Sequence, residues 1–318
     1  MTRRLLFAIA ATIVVSFAGA ANAEYPEKDI TFIIPYSPGG GFDLTARQIA
    51  SVLPKYLPNK VNVIPKNVPG AGGRQGTGQL YRADPDGYTI GAINMPGAAI
   101  PQLTGEEVSY DIKKVTWIAR MSTSPYLLGV NPKSGIKTLD DIKKLGRPLK
   151  MAHTGFGSTA YTGSSITKYV VGFKAVHITG YKGSKNYILG VVRGDADAAE
   201  APTQTFASFI KSGDIHPVVT FEEKSSFPGV PTIAEAGYPQ LTGLGVERLI
   251  AAPPGLPANI QKILSDAIGK AANDPESVAW AKKTKRPFGY LPADKAKAAV
   301  DQALKNFSEY PDALKKQN

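Results

Sequence analysis

Asp29–Leu57 reads DITFIIPYSPGGGFDLTARQIASVLPKYL. Asp29–Pro35 is an apolar, β-branched run stopped by proline, the pattern of a buried strand. Asp43–Leu57 places Leu44, Ala46, Ile49, Ala50, Leu53 and Leu57 at helical spacing. Between them lies Tyr36-Ser37-Pro38-Gly39-Gly40-Gly41-Phe42. Consecutive glycines let a backbone turn several N–H groups toward one point, and a helix N-terminus already favours an anion there. The stretch therefore predicts strand, anion cradle, helix. Asp43 has two readings, a cap of that helix or an i,i+4 partner of Arg47.

The same arrangement recurs further on. Leu149–His153 reads as a strand, Thr159–Val171 as a helix, and Thr154-Gly155-Phe156-Gly157-Ser158-Thr159 joins them with two hydroxyl donors. Two such loops in different halves of the chain suggest one anionic ligand held from both sides. Tyr36, Phe42 and Phe156 sit in the loops and either wall an apolar ligand or pack the loops themselves. A third glycine loop, Pro69–Gly76, fits neither a P-loop nor a dinucleotide fingerprint. Its Arg74 is read as exposed, with a carboxylate contact as the alternative.

Outward from these loops, strands are expected at Val61–Ile64, Tyr88–Asn94, Val115–Met121, Tyr126–Asn131, Ala175–Thr179, Ala196–Ala199 and Ile215–Thr220. Helices are expected at Gly76–Arg82, Thr138–Leu145 (opened by a capping-box-like Thr138–Asp141), Lys185–Arg193 and Thr205–Lys211. The C-terminal part reads as helical, with one stripe through Ile260–Ile268, an Asp274-Pro275 start and another stripe through Ala296–Phe307. Alternating strands and helices imply mainly parallel sheets flanked by helices, and the strand number suggests two α/β lobes with a ligand between their strand-end loops.

The chain has 318 residues, 43% of them hydrophobic and 20% charged, a folded and soluble composition. It has no cysteine, which excludes disulfides, thiolate metal sites and a Cys nucleophile. Its three histidines are far apart, so neither a His-rich metal site nor a resident cofactor is expected. The net charge is +11, but the basic residues are scattered. The densest group, Lys282–Arg286, reads as a solvated helix end, and no nucleic-acid partner is expected. The overall positive potential still steers small anions.

Arg3-Arg4, the apolar Leu5–Ala20 and the small-x-small Ala21-Asn22-Ala23 form a secretory signal layout with cleavage after Ala23. A membrane anchor is the other reading. Secretion places the protein outside the cytoplasmic membrane. Catalytic motifs are missing: there is neither G-x-S-x-G nor H-E-x-x-H. His153 with Ser158 is the one conceivable base–nucleophile pair, the basis of a minor secreted-hydrolase reading.

Taken in order, PYSPGGGFDLTAR (Pro35–Arg47), NVPGAGG (Asn67–Gly73), ADPDGYTI (Ala83–Ile90), GYKGS (Gly180–Ser184), GDADA (Gly194–Ala198), FPGVPTIAEAGYP (Phe227–Pro239) and APPGLP (Ala252–Pro257) cover most of the chain. As a set they strongly resemble the substrate-binding proteins of tripartite tricarboxylate transporters, the Bug family. The resemblance implies a two-lobed, type II-like periplasmic binding protein, a monomer that closes on a small carboxylate and hands it to membrane permease subunits. It implies no enzyme activity. One lobe would comprise 24–123 with 250–318, the other 124–249. Carried onto this sequence, the ligand-binding set is Tyr36, Ser37, Gly40, Gly41, Phe42, Asn94, Thr154, Gly155, Phe156, Gly157, Ser158, Thr159, Glu200 and Thr203. Amino-acid-binding relatives carry an Asp where this chain has Ala201, which argues against an amino acid unless Glu200 substitutes. A di-/tricarboxylate and an aromatic carboxylate both remain open. The alternative role is a ligand-binding co-sensor for a membrane histidine kinase.

Overall fold

The computed structural model describes residues 25–315; the expected signal segment, residues 1–23, lies outside them. Along the chain the elements are β1 (Ile30–Ile34), α1 (Gly41–Val52), β2 (Val63–Asn67), α2 (Arg74–Tyr81), β3 (Thr89–Met95) and α3 (Ile100–Leu103). Next come β4 (Thr116–Val130), α4 (Leu139–Lys143), β5 (Leu149–Ala152), α5 (Thr159–Val171), β6 (Ala175–Ile178), α6 (Ser184–Arg193), β7 (Ala198–Pro202), α7 (Thr203–Lys211) and β8 (His216–Thr220). The chain ends with β9 (Gly245–Ala252), α8 (Ala258–Asn273), α9 (Pro275–Thr284), β10 (Leu291–Pro292), α10 (Ala293–Ser308) and α11 (Pro311–Leu314).

The strands pair in the order β2-β1-β3-β9-β4-β7-β5-β6, with β8 and β10 also on β4. Strands joined through helices are parallel: β1 with β2 and β3, and β5 with β6 and β7. This is the expected two-group α/β arrangement. Between the groups run two antiparallel strands. β9 lies beside β3 on one edge and the first part of β4 on the other. The last part of β4, Tyr126–Val130, pairs with β7 and β8. Each half is thus a parallel sheet closed by an antiparallel strand, and β4 runs through both halves, its first part beside β9 and its last part beside β7 and β8.

Two local expectations are corrected here. Val115–Met121 and Tyr126–Asn131 are one strand, not two. The polar Ser122-Thr123-Ser124-Pro125 stays extended because β9 pairs along it, with register shifts near Trp117–Ala119 and Arg120–Ser122 absorbing the twist. β9 has no counterpart in the sequence reading, because Glu247 and Arg248 interrupt its apolar run. Most other elements agree within a few residues, and α5 agrees at both ends. Thr138 and Asp141 form the capping box, each side chain taking the other's backbone N–H. Asp274 caps α9 through Glu276 N–H at 2.7 Å.

Burial follows the helical stripes. Ala46, Ile49 and Ala50 of α1 are buried, while Leu44 is 36% exposed and turns away from the core. Ala296 and Val300 bury the inner face of α10. Among the described residues no helix is long and apolar enough to cross a membrane. The β4–β9 contact is close: a Cβ on Gly245 would stand 2.3 Å from the Ser124 carbonyl oxygen and 2.8 Å from Pro125 Cα. Backbone cannot yield as a flexible side chain does. Gly245→Ala is therefore expected to lower stability by about 1–3 kcal/mol. Gly146→Ala, in open space, should stay within about 0.5 kcal/mol of the parent. Denaturant midpoints of the two variants check this; equal midpoints would contradict it.

Candidate functional site

The loop leaving β1 meets α1 at Gly40, which is extended (φ −82°, ψ 171°) and carries no side-chain cap. The first N–H groups of α1 are therefore left to whatever occupies the space before them. Asp43 does not cap the helix. It takes Gly39 N–H at 2.8 Å and Arg47 Nε at 2.7 Å, and Asn67 Nδ2 joins them at 2.8 Å. Burial raises its pKa, but these donors more than offset that and hold it below the usual carboxylate range. Asp43 thus fastens the glycine loop.

That loop forms one wall of a cleft of about 330 Å³. Tyr36, Ser37, Gly40, Gly41 and Phe42 line this wall. Facing it are Thr154, Ser158, Thr159 and Ala160, then Lys182–Tyr187 at the start of α6. Asn94, Tyr126, Val246 and Arg248 form the floor, on β3, β4 and β9. A chain of hydrogen bonds crosses it. Thr159 Oγ1 donates to Asn94 Oδ1 at 2.7 Å, Asn94 Nδ2 donates to the Tyr36 hydroxyl, and that hydroxyl donates to the Gly72 carbonyl at 2.9 Å. Burial pushes the Tyr36 phenol up to about 12, so it stays protonated. Ser158 caps α5, its Oγ accepting Tyr161 N–H at 3.3 Å.

The remaining expected residues sit elsewhere. Gly155 and Phe156 line an adjoining cavity of about 440 Å³, shared with Gly70–Arg74 and Gly180–Lys182. Arg74 is held there by Glu106 at 2.7 Å. Gly157, at φ +72°, packs toward Pro101. Thr203 is buried outside the cleft lining, as is Glu200. Neither carboxyl oxygen of Glu200 has a hydrogen-bond partner among the described residues; the nearby Thr167 hydroxyl is committed to the Gly163 carbonyl at 3.0 Å. Burial pushes the Glu200 carboxyl up to about 8. His153 is fully buried, and its Nε2 lies 2.7 Å from His177 Nδ1. Its ring nitrogen pairs with a second imidazole and the Ser158 hydroxyl is a helix cap, so the base–nucleophile pairing is not formed. Burial keeps both rings neutral, His177 at about 4.

The sequence reading missed a buried cation in the cleft. Arg248 is 3% exposed. Its Nη1 donates to Ser124 Oγ at 2.7 Å, its Nε has no partner, and its guanidinium lies 5.0 Å from the Phe42 ring centre. Burial, then the neighbouring Arg286, pull its pKa down to about 10, so it remains a cation. Among the described residues it forms no ion pair. The available signal was a lone Arg inside the apolar run Gly245–Ala252. Arg286 likewise departs from the expected solvated helix end: Lys282 and Lys283 close α9, but the Arg286 guanidinium folds back toward Gly41. No group of three His, Asp or Glu that could hold a metal occurs among the described residues.

The two-group α/β fold thus brings two glycine-loop helix starts and a buried cation to the lining of one cleft. The chain belongs to the tripartite tricarboxylate transporter family receptor group (TctC), whose family model matches residues 45–305. It is 28% identical to the protein BugT of Bordetella pertussis over 281 residues, 84% of each chain. Its fold is that of the periplasmic binding protein BugD (TM-score 0.81, 23% identity, 92% of this chain and 100% of that one). It is also that of MatC from Rhodopseudomonas palustris with bound malate (TM-score 0.78, 21% identity, 92% of this chain and 100% of that one).

Glu200 gives a test with a definite sign. The native state keeps its proton to about pH 8, whereas an unfolded Glu loses it near pH 4.3. Between those values the native state binds more protons, so this group's contribution to stability falls as pH rises. The melting-temperature gain of Glu200→Gln over the parent should be larger at pH 8 than at pH 5. A gain independent of pH would contradict the assignment.

Proposed function

We propose that this protein is an extracytoplasmic receptor that captures a small organic carboxylate in the cleft and delivers it to a membrane permease. One observation carries the reading: an uncapped helix N-terminus and a buried, unpaired guanidinium face the same ligand-sized space. A buried cation needs a counter-charge, and the glycine-loop N–H groups need an acceptor. A carboxylate answers both. The malate held by a neighbour of the same fold supports it.

In this reading residues 1–23 are a cleaved leader, and the protein acts as a periplasmic monomer. Lobe 1 comprises 24–123 and 250–318, and lobe 2 comprises 124–249. They close about the crossing strands β4 and β9, and the permease reads the closed form. Tyr36, Ser37, Gly40, Gly41 and Phe42 present one wall to the acid; Thr154, Ser158 and Thr159 present the other. Tyr36–Asn94–Thr159 ties the walls together. Gly155 and Phe156 line the adjoining cavity, which shares Tyr36, Ser37, Thr154 and Lys182 with the cleft, and Gly157, Glu200 and Thr203 lie outside the cleft lining. Neutral Glu200 offers no countercharge to a ligand ammonium, which disfavours an amino acid.

A thermal-shift screen against mono-, di- and tricarboxylates, aromatic acids and amino acids tests the reading. A carboxylate at about 100 times its Kd should stabilise the protein by about 2.7 kcal/mol. Stabilisation only by amines or neutral solutes would refute it.

A further inference from the structure

Glu200 is fully buried on β7, and neither of its carboxyl oxygens has a hydrogen-bond partner among the described residues. An unanswered buried acid costs free energy, so a folded protein keeps few of them. Its surroundings belong to the cleft. Residues i and i+2 of a strand point to the same face, and Pro202, two residues further along β7, lines the cleft. On α5, a Cβ at Gly163 would stand 2.9 Å from Glu200 Oε2, 3.6 Å from the Tyr126 ring and 3.7 Å from Leu244. Ala160, one turn earlier on α5, lines the cleft, as do Tyr126 and Tyr187. The Tyr187 hydroxyl donates to the Glu200 carbonyl at 3.1 Å. The carboxyl therefore lies one residue layer behind the cleft wall, against side chains that form that wall.

The groups that face it are uncharged: Tyr126 from β4, Gly163 and Thr167 from α5, Tyr187 from α6 and Leu244 ahead of β9. Burial raises the phenols of Tyr126 and Tyr187 above their ordinary value, so both stay neutral. The charged groups nearby are engaged elsewhere. Arg248 donates to Ser124 at 2.7 Å, and Glu247 pairs with Arg120 at 3.7 Å. Burial also pushes the Glu200 carboxyl up to about 8. Ionisation would thus set an uncompensated negative charge directly behind the wall that an organic acid occupies. Like charges repel more strongly in a poorly solvated interior than in water. By reciprocity, an anion in the cleft holds the proton on Glu200 more tightly.

We propose, on the basis of the carboxylate reading, that Glu200 is a proton site linked to the cleft. The protonated receptor binds its organic acid tightly, and loss of the Glu200 proton to solvent loosens the acid. The sign is definite: affinity is flat while Glu200 stays protonated and falls as pH rises through its ionisation. Glu200 touches no ligand; it acts through the wall that Tyr126 and Tyr187 form.

Calorimetric titration of the purified protein with malate, adipate, phthalate and benzoate tests this. Affinities are compared at pH 7 and pH 9, a range over which these acids keep a constant charge. Proton exchange is read at pH 8.5 from two buffers of different ionisation enthalpy. An acid that binds should weaken about fivefold from pH 7 to pH 9 and take up about half a proton at pH 8.5. Glu200→Gln should abolish the uptake and flatten the profile to within about twofold; a purely structural role would leave the proton count of the parent at zero. Binding by the parent without proton uptake would overturn the linkage and leave the carboxylate reading intact. Uptake that persists in Glu200→Gln would place the proton on another group, such as Arg248, and overturn it too. Failure of all four acids to bind would remove both readings.

Discussion

A guanidinium buried without a carboxylate sets the terms for this molecule. Arg248 sits on β9, between β3 and β4, where the two halves of the fold meet. Removing a cation from water costs several kcal/mol unless something replaces its hydration. Two serine hydroxyls of β4 and the face of Phe42 do so in part. What remains is a directed positive potential at the floor of a cleft, held by strands rather than by loops. Strands fix direction well, so the glycine loops and helix starts above need only converge on a point already defined beneath them.

The walls are built differently from the floor. Each is a helix start reached from a strand end, and each is locked by its own side chains: Asp43 holds the Gly39–Gly41 turn, and Ser158 caps α5. The Tyr36–Asn94–Thr159 chain then couples one wall to the floor and the floor to the other wall. This chain joins the two parallel groups of strands, because Thr159 opens α5 after β5, whereas Tyr36 follows β1 and Asn94 lies on β3. The third glycine loop joins in the same way, since the Gly72 carbonyl accepts the Tyr36 hydroxyl and a Cβ at Gly72 would meet Ser158 and the Phe156 carbonyl.

Much of this was legible in the sequence for a local reason. A strand, a glycine run and an amphipathic helix are short-range patterns, so both loops and the ends of α5 could be read from neighbours alone. The failures are all long-range. β9 is a strand because β3 and β4 flank it, although its own run is broken by two charges. Ser122–Pro125 reads as a break and stays extended because β9 pairs with it. Arg286 looks like part of a solvated basic end, and only the packing of α9 beside α1 carries it to Gly41. Glu200 reads from the sequence as a ligand-facing acid; its strand lies in the interior, against α5. Local pattern thus located the walls, while the floor and its charge required the tertiary structure.

The most direct measurement is a crystal structure of the protein with the most stabilising acid from the thermal-shift screen. A ligand acid group within hydrogen-bond distance of the Arg248 guanidinium, and of the Gly41 or Phe42 N–H, is the result this account predicts. A ligand whose acid groups lie away from Arg248, with that guanidinium still facing only Ser122 and Ser124, would contradict it.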